Sequence, residues 1–266
     1  MANEFDLRQE LANQAAMSQP SKQEEVNSTR NMTIPDMVKA MLPEIKKALP
    51  MVMTPERFTR IALSALNNTP ALQQCTPMSF LAALMNAAQL GLEPNTPLGQ
   101  AYLIPYKNHG IMECQFQIGY KGLIDLAYRN GQMQTIQAQA VYENDEFSYE
   151  YGLEPKLFHR PAFSDRGGLV YFYGIFRTVN GGYGMAVMSK SEMDIYAKTY
   201  SKAYASNYSP WKSNYEDMAK KTVIKQALKY APIKTDFQRA LSTDETIKKE
   251  ISVDMTAVKN EVVDVA

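Results

Sequence analysis

The sequence predicts an α+β fold in which antiparallel β-hairpins pack with flanking helices. The first third of the chain places its apolar residues at helical spacing. From Gln100 the apolar residues alternate instead, and the alternating segments come in pairs joined by short turn sequences. Strands paired through turns favour hairpins over the parallel sheet of an α/β protein. With 266 residues, of which 45% are hydrophobic, the chain is long enough to bury a sizeable core.

The N-terminal part of the core is predicted to be helical. Helical spacing begins near Ile34 and runs through MVKAMLPEIKKALP. Thr54-Pro55 and Thr76-Pro77 each combine a capping threonine with a proline at the first helical position. Gly91 can end the second of these helices. The predicted inward face of the first consists of Phe58, Ile61, Ala62, Ala65 and Leu66.

Three hairpins are predicted after residue 100. AYLIPY and ECQFQIG flank a turn at 107–110, QTIQAQAVY and FSYEYG flank 143–145, and GLVYFYGIFRTV and YGMAVMS flank 180–182. Between the first two hairpins, GYKGLIDLAYRNG is predicted to form a short helix that Gly131 ends. The second half of the chain therefore supplies the strands.

Two further helices follow the last hairpin. Ser189 and Glu192 have the spacing of a capping box, which predicts a helix through Tyr196. A longer helix is predicted from about Lys212 to Tyr230, ending before a proline. No internal repeat is visible, so one core with helices around the hairpins is expected.

The charges divide the chain into three parts. Residues 1–29 hold 2 basic and 5 acidic side chains, residues 241–266 hold 3 and 6, and residues 30–240 hold 23 and 17. We therefore expect a flexible acidic arm over 1–30, a core over 31–240 and an acidic, mobile C-terminal tail over 241–266.

Several classes of protein are excluded by what the sequence contains. Two cysteines cannot build a disulfide framework, and no apolar stretch is long enough to span a membrane. The acidic, polar opening is not a secretory signal, so a cytosolic protein is expected. Phosphate-loop, dinucleotide, histidine-pair metal and serine-hydrolase motifs do not occur. Glu143, Asp145 and Glu146 offer carboxylates to a divalent cation, although acids in a turn are more often solvated.

The basic surplus of the core is concentrated in one segment. Residues 198–239 hold 9 basic and 3 acidic side chains, which indicates either a polyanion site or a solvated helix face. Lys221, Lys225 and Lys229 recur every four residues and form one helical stripe. Because a lysine ammonium group is a point charge without bidentate geometry, such a stripe can bind successive phosphates of a nucleic acid backbone but cannot distinguish one base from another.

Aromatic residues accompany these cations. A tyrosine row with interspersed lysines indicates either a stacking platform for single strands or a packing surface; it consists of Tyr196, Lys198, Tyr200, Lys202, Tyr204 and Tyr208. Trp211 is either a stacking group or a core anchor. A second basic and aromatic group lies beside glycines and comprises Tyr106, Lys107, Gln115, Gln117, Tyr120 and Lys121.

Several separate motifs together resemble the RecT family of phage single-strand annealing proteins. They are MTPERFTRIALSALNNTPAL, CTPMSFLAALMNAAQLGLEPN, LGQAYLIPY, IGYKGLIDLAYRNGQ, FHRP and W…EDMAKKTVIKQALKYAP, in colinear order over roughly residues 35–240. The family's Gly-Tyr-Arg/Lys-Gly motif corresponds to residues 119–122, its His-Arg-Pro motif to 159–161, and its tryptophan-to-Lys-Lys-Thr motif to Trp211 and 218–222. Lys121 stands where an arginine is common, and Lys225-Gln226 where a more basic pair can occur.

The resemblance implies a recombinase that binds single-stranded DNA and anneals complementary strands without hydrolysing ATP. It also implies a core similar to that of Rad52-type annealing proteins, homo-oligomeric rings or helical filaments, and a cytoplasmic location in a bacterial host. A host single-strand-binding protein and a phage exonuclease are expected as partners. Annealing needs no cofactor, and the sequence does not require magnesium. The acidic ends have three open roles: binding neighbouring subunits, competing with DNA or recruiting host proteins.

Sixteen residues are predicted to contact DNA, and the hairpin tip at 107–110 is predicted to insert near it. They are Tyr106, Lys107, Gln115, Gln117, Tyr120, Lys121, Arg129, Arg160, Lys198, Lys202, Trp211, Lys212, Lys220, Lys221, Lys225 and Lys229. No catalytic or metal-binding residue is predicted. Two other classes remain open: a sequence-specific duplex DNA-binding regulator, and a phage structural protein whose hairpins and tyrosines serve assembly.

Overall fold

A computed structural model describes residues 32–129, 131–201, 204–205, 209–232, 238 and 241–260. The acidic arm expected over 1–30 lies outside these residues. None of the helices in the described ranges is both long enough and apolar enough to cross a membrane.

Helices form most of the first third of the described chain. They are α1 (Ile34–Ala40), α2 (Leu42–Ala48), α3 (Pro55–Asn68) and α4 (Pro77–Leu90), with a 3-10 turn over Pro70–Gln74 between the last two. As predicted, α3 begins at the Thr54 cap, whose hydroxyl accepts from the Arg57 amide at 3.4 Å. Gly91 ends α4 in the left-handed conformation that glycine adopts without strain.

Seven strands make three antiparallel sheets in the described chain. Strands β1 (Ala101–Asn108) and β2 (Ile111–Ile118) form one hairpin, and β4 (Glu146–Glu150) and β5 (Lys156–Arg160) form another. Strands β3 (Met133–Tyr142), β6 (Leu169–Thr178) and β7 (Tyr183–Ser189) form a sheet in the order β3-β6-β7. The α+β class with antiparallel hairpins is therefore confirmed.

The predicted pairing of the second hairpin is wrong. Strand β3 pairs with β6 rather than with β4, and β4 pairs with β5. Just after β3, the amides of Glu143 and Asn144 donate to the carbonyls of Gly168 and Arg166, at 2.9 and 3.1 Å, and so bring together the two ends of the intervening segment. The β4–β5 hairpin is thus an insertion between two paired strands.

The remaining helices pack on these sheets. They are α5 (Tyr120–Tyr128), α6 (Lys190–Tyr200), the single turn α7 (Pro210–Ser213) and α8 (Tyr215–Ala227), followed by a 3-10 turn over Leu228–Tyr230. The capping box at Ser189 is confirmed. The helix predicted from Lys212 to Tyr230 is instead interrupted at Asn214, whose backbone is not helical.

The principal core lies between the N-terminal helices and the hairpin β1–β2. Helix α4 packs on β2 and is buried on nearly all sides, as expected for a helix without a polar face. A second cluster joins the three-stranded sheet to α6, α7 and α8, and includes Phe172, Met193 and Val223. The hairpin and the sheet are bridged by α5 and α8, and this bridge forms the candidate site.

The C-terminal residues 241–260 also belong to the core, contrary to the predicted boundary at 240 and the predicted mobile tail. Ile247 and Met255 are fully buried. The Phe116 amide donates to the Thr246 carbonyl at 3.1 Å, so the segment lies along the free edge of β2. The prediction of a mobile tail followed from the net acidity of the segment and did not take account of Ile247 and Met255, which are buried.

Candidate nucleic-acid interface

A groove separates the hairpin β1–β2 from helices α7 and α8. Its volume is about 430 Å³. The walls include Tyr102 from β1, Tyr120 at the start of α5, and Asn214, Asp217 and Lys221 from the opposite side. Two of the motifs found in the sequence, one around Tyr120 and one around Lys221, therefore meet across one groove.

A smaller cavity of about 110 Å³ continues the site along α8. Lys221 borders both cavities, and Lys225 borders the smaller one together with Tyr196, Tyr200 and Glu245. The rings of Tyr196 and Tyr200 lie 4.6 Å apart, and Tyr200 is 68% exposed. The first two tyrosines of the predicted row thus lie beside the lysine stripe. Tyr204 packs against the second core cluster, and Tyr208 lies outside the described residues.

Two glycines fix how α5 meets the hairpin. A Cβ atom added to Gly119 would lie 2.1 Å from the carbonyl oxygen of Gly99, and one added to Gly122 would lie 2.1 Å from that of Gln100. No side chain fits at these distances, so glycine is required by the close approach of two backbones. This contact places Tyr120 in the groove wall and leaves the next residue, Lys121, exposed.

Lys221 is not the solvated cation that the stripe predicts. Its side chain is 3% exposed, and its Nζ atom lies 2.8 Å from Asp244 Oδ2 and 2.9 Å from Glu245 Oε1. Lys225 Nζ also reaches Asp244 Oδ2, at 3.2 Å. Burial disfavours the charge of Lys221, but the two carboxylates outweigh it and raise its pKa. Burial likewise opposes the charge of Asp244, yet the two lysines lower its pKa.

The C-terminal segment also covers predicted contacts on the hairpin. Gln115 donates to the Glu245 carbonyl at 3.1 Å, and Tyr106, which is 9% exposed, packs against Ile247. Gln117 is buried and lies 3.1 Å from the Met218 sulfur. Gln117 also lines the groove, so its predicted contact with DNA stays a prediction.

Trp211 is a core anchor rather than an exposed stacking group. It is 5% exposed and belongs to the second core cluster, where its ring packs edge-on against Tyr215. Of the two roles that the sequence left open, packing is therefore the one the structure shows. The helical turn α7 that carries Trp211 still supplies Ser213 to the groove wall.

Several predicted cations lie on the surface. Lys107, Lys121, Lys198 and Lys229 are exposed and form no salt bridge within the described ranges. Lys212 is exposed and donates to the Ala205 carbonyl at 3.2 Å. Lys202 lies outside the described residues.

Three other predicted contacts are engaged by carboxylates. Lys220 binds Glu216 at 2.6 Å, and Arg160 binds Glu146 at 2.9 Å on the β4–β5 hairpin. Arg129 binds Asp125 and also donates to the Leu90 and Gly91 carbonyls, at 2.6 and 2.9 Å. Arg129 therefore satisfies carbonyls at the end of α4, a structural role that the sequence analysis missed.

Of the His-Arg-Pro motif, His159 lies in a buried polar network, whereas Arg160 is exposed. His159 Nε2 lies 3.0 Å from Asp145 Oδ2, and its Nδ1 lies 3.1 Å from the Tyr173 hydroxyl. Arg166 donates to both oxygens of Asp145, and this hydrogen bonding is the main reason that the pKa of Asp145 lies well below its usual range. Since Asp145 is then ionised, it accepts from Nε2–H of His159, and Nδ1 of the same ring is hydrogen-bonded to the Tyr173 hydroxyl. The network fastens the β4–β5 hairpin to β6.

The three acids considered for a cation have protein partners. Asp145 is held as described, Glu146 binds Arg160, and Glu143 accepts from the Gly168 amide at 3.1 Å. Within the described ranges, no cluster of three histidine, cysteine, aspartate or glutamate side chains is arranged to hold a metal ion.

Comparison with known proteins identifies the family to which these motifs belong. The RecT family model matches residues 56–259. The chain belongs to the RecT family. It is 41% identical to Protein RecT of Escherichia coli (strain K12) over 219 residues, which cover 81% of this chain and 80% of that protein. It is also 30% identical to the uncharacterized protein YqaK of Bacillus subtilis (strain 168) over 210 residues, covering 78% and 70%.

RecT membership confirms the resemblance drawn from the motifs and places the protein among recombination proteins that anneal single strands. It also supports a core of the Rad52-like annealing type. The match extends past residue 240, so it includes Asp244, Glu245 and Ile247. The segment that covers the lysines is therefore part of the family region.

Proposed function

We propose that this RecT protein binds single-stranded DNA in the groove between β1–β2 and α7–α8 and anneals it to a complementary strand without ATP. The observation that carries the proposal is the meeting of two family motifs, through Tyr120 and Lys221, in one groove. Lysines hold phosphates without reading bases, which leaves the bases free to pair.

The chemistry of annealing fits the side chains at this site. Base pairing supplies the free energy, so the protein has only to neutralise repulsion between strands and to order one of them. Exposed Lys107 and Lys121 on one side and Lys198 on the other would attract a polyanion, and Tyr120 and Tyr200 offer rings for stacking. We propose accordingly that no nucleotide hydrolysis and no cofactor are required.

Oligomers would extend the groove from one subunit to the next. We propose homo-oligomeric rings or filaments that lay one strand along successive grooves, as expected for this family. A host single-strand-binding protein and a phage exonuclease remain predicted partners.

A competition experiment separates this function from a duplex-binding regulator. The protein is bound to a labelled single-stranded oligonucleotide of mixed sequence and challenged with unlabelled single strand or with the matching duplex. We expect the single strand to displace the label at a lower concentration than the duplex, for any sequence. Preference for one duplex sequence would support a regulator, and no affinity for either form would support an assembly protein.

A further inference from the structure

We propose that Asp244 and Glu245 occupy the positions of two DNA phosphates, and that the segment 243–249 moves away from Lys221 and Lys225 when a strand enters. This inference rests on the proposed function, since it concerns the same lysines. It assigns Lys221 and Lys225 as a phosphate subsite that is filled by the protein's own carboxylates in the free chain.

The carboxylates make the contacts that a phosphate would make. Lys221 Nζ has two anionic partners at 2.8 and 2.9 Å, and Lys225 Nζ has one at 3.2 Å. Phosphate oxygens accept from an ammonium group at similar distances. A buried lysine without a partner is strongly unfavourable, so the segment leaves only if another anion takes its place. A nucleic acid strand supplies such an anion, and a neutral ligand does not.

The segment is attached along its length to surfaces that the sequence predicts for DNA. Ile118 donates its amide to Asp244 Oδ1 at 2.8 Å, Gln115 binds the Glu245 carbonyl, and Ile247 covers Tyr106. Predicted DNA contacts on β1, β2 and α8 are thus covered by the same seven residues. A strand that reached these contacts would have to displace the segment.

The attachment suits displacement without unfolding of the core. The segment shares a single β-bridge with β2, between Phe116 and Thr246, and its other described contacts with β2 involve side chains, whereas β1 and β2 pair along their whole length. Beyond the segment the chain is anchored again, because the Met255 amide donates to Gln89 Oε1 at 3.1 Å and Gln89 donates to the Val253 carbonyl at 2.7 Å. The segment can therefore move as a loop while Met255 stays in the core.

Limited proteolysis with trypsin provides the direct test. Lys248 is 2% exposed and donates to the Met255 carbonyl, so it is protected in the free protein, whereas the neighbouring Lys249 is exposed although it binds Glu113 at 3.1 Å. We expect a saturating oligodeoxythymidine to increase cleavage after Lys248, because proteolysis at a buried site requires local opening. Cleavage after Lys156 on the exposed β4–β5 hairpin is the internal reference.

Fluorescence anisotropy of the labelled oligodeoxythymidine first establishes that the protein is saturated, so that failure of displacement can be told apart from failure of DNA binding. Unchanged or reduced cleavage after Lys248 in the saturated complex would overturn displacement and leave DNA binding intact. Absence of any anisotropy change would overturn the proposed function itself.

Two variants test the same inference through affinity. The first is the double substitution Asp244→Asn with Glu245→Gln, which removes the carboxylates that pair with Lys221 and Lys225. The second is Ile247→Ala, which removes apolar packing against Tyr106. Both should bind single strands more tightly, by about tenfold, since a protein whose competent state is more populated shows a higher apparent affinity. The charge-matched control is Glu44→Gln with Glu150→Gln, whose carboxylates also pair with lysines, at 2.8 and 3.5 Å. An equal gain in the control, with no gain for Ile247→Ala, would contradict the inference.

Discussion

Lys221 Nζ lies 2.8 Å from Asp244 Oδ2, and both side chains are buried although they are 23 residues apart in the chain. The pair joins helix α8 to the C-terminal segment, and its lysine is part of the groove wall. It makes Lys221 important to the stability of the free protein as well as a proposed phosphate contact.

Replacing Lys221 with methionine should destabilise the protein. Asp244 would remain buried with only Lys225 as its lysine partner, and breaking a buried ion pair costs about 3–5 kcal/mol. Chemical unfolding would measure the change in the free energy of unfolding. Lys229→Met is the matched control, because Lys229 is exposed on the next 3-10 turn and should change stability by no more than about 0.5 kcal/mol. Equal effects of the two substitutions would contradict the role of the pair.

Asp145 should account for part of the acid sensitivity of the fold. Its pKa is lowered in the folded state, chiefly by Arg166 and also by His159, so it stabilises the protein at pH values above the ordinary carboxyl pKa of about 3.9. This contribution is lost as the pH falls towards the folded-state pKa. Asp145→Asn should therefore be less stable at pH 7 but lose less stability than the wild type between pH 5 and pH 3, as measured by urea unfolding. Parallel pH profiles would be the contrary result.

Gly119→Ala should lower stability through a clash between backbones. The added Cβ would lie 2.1 Å from the Gly99 carbonyl oxygen, and relieving it requires the hairpin and α5 to move apart, at a cost of about 1–3 kcal/mol or more. Gly168→Ala is the control, because the new Cβ would meet only the end of the Glu143 side chain, at 3.2 Å. Thermal unfolding of both variants would show whether the Gly99 contact is as tight as described.

The exposed lysines on the hairpin side of the groove should strengthen the binding of single-stranded DNA through their charge, whatever the DNA sequence. Lys107→Ala and Lys121→Ala should each weaken binding to single strands of any sequence and lower the slope of log affinity against log salt by about 0.7 per lost phosphate contact. Lys46→Ala, an exposed lysine on α2, is the control and should leave the slope unchanged. An effect confined to one base composition would show that these lysines do not act on phosphates.

Local signals in the sequence predicted much of the fold. The Thr54-Pro55 start, the capping box at Ser189 and the hairpins with turns at 107–110 and 180–182 depend on neighbouring residues, and all are present. The pairing of β3 with β6 was missed because it spans an insertion. The inserted segment is held by contacts of Asp145 with Arg166 and His159, which spacing along the chain does not reveal.

The burial of the lysine stripe was not predictable from periodicity alone. Spacing places Lys221 and Lys225 on one face of α8, but it does not say what covers that face. The opposite face packs on the sheet β3-β6-β7, and the lysine face is covered by residues 243–249. An acidic pair followed by Thr246-Ile247 was the available signal, since a β-branched pair within a polar tail is suited to strand pairing.

The most direct test of the central claim is annealing of two complementary labelled oligonucleotides, followed by fluorescence transfer without ATP across a salt series. We predict that the protein accelerates annealing strongly at low salt, that the acceleration declines as salt rises, and that Lys107→Ala with Lys121→Ala slows it while Lys46→Ala does not. No acceleration over the protein-free rate at low salt would contradict the assignment of this groove to strand annealing.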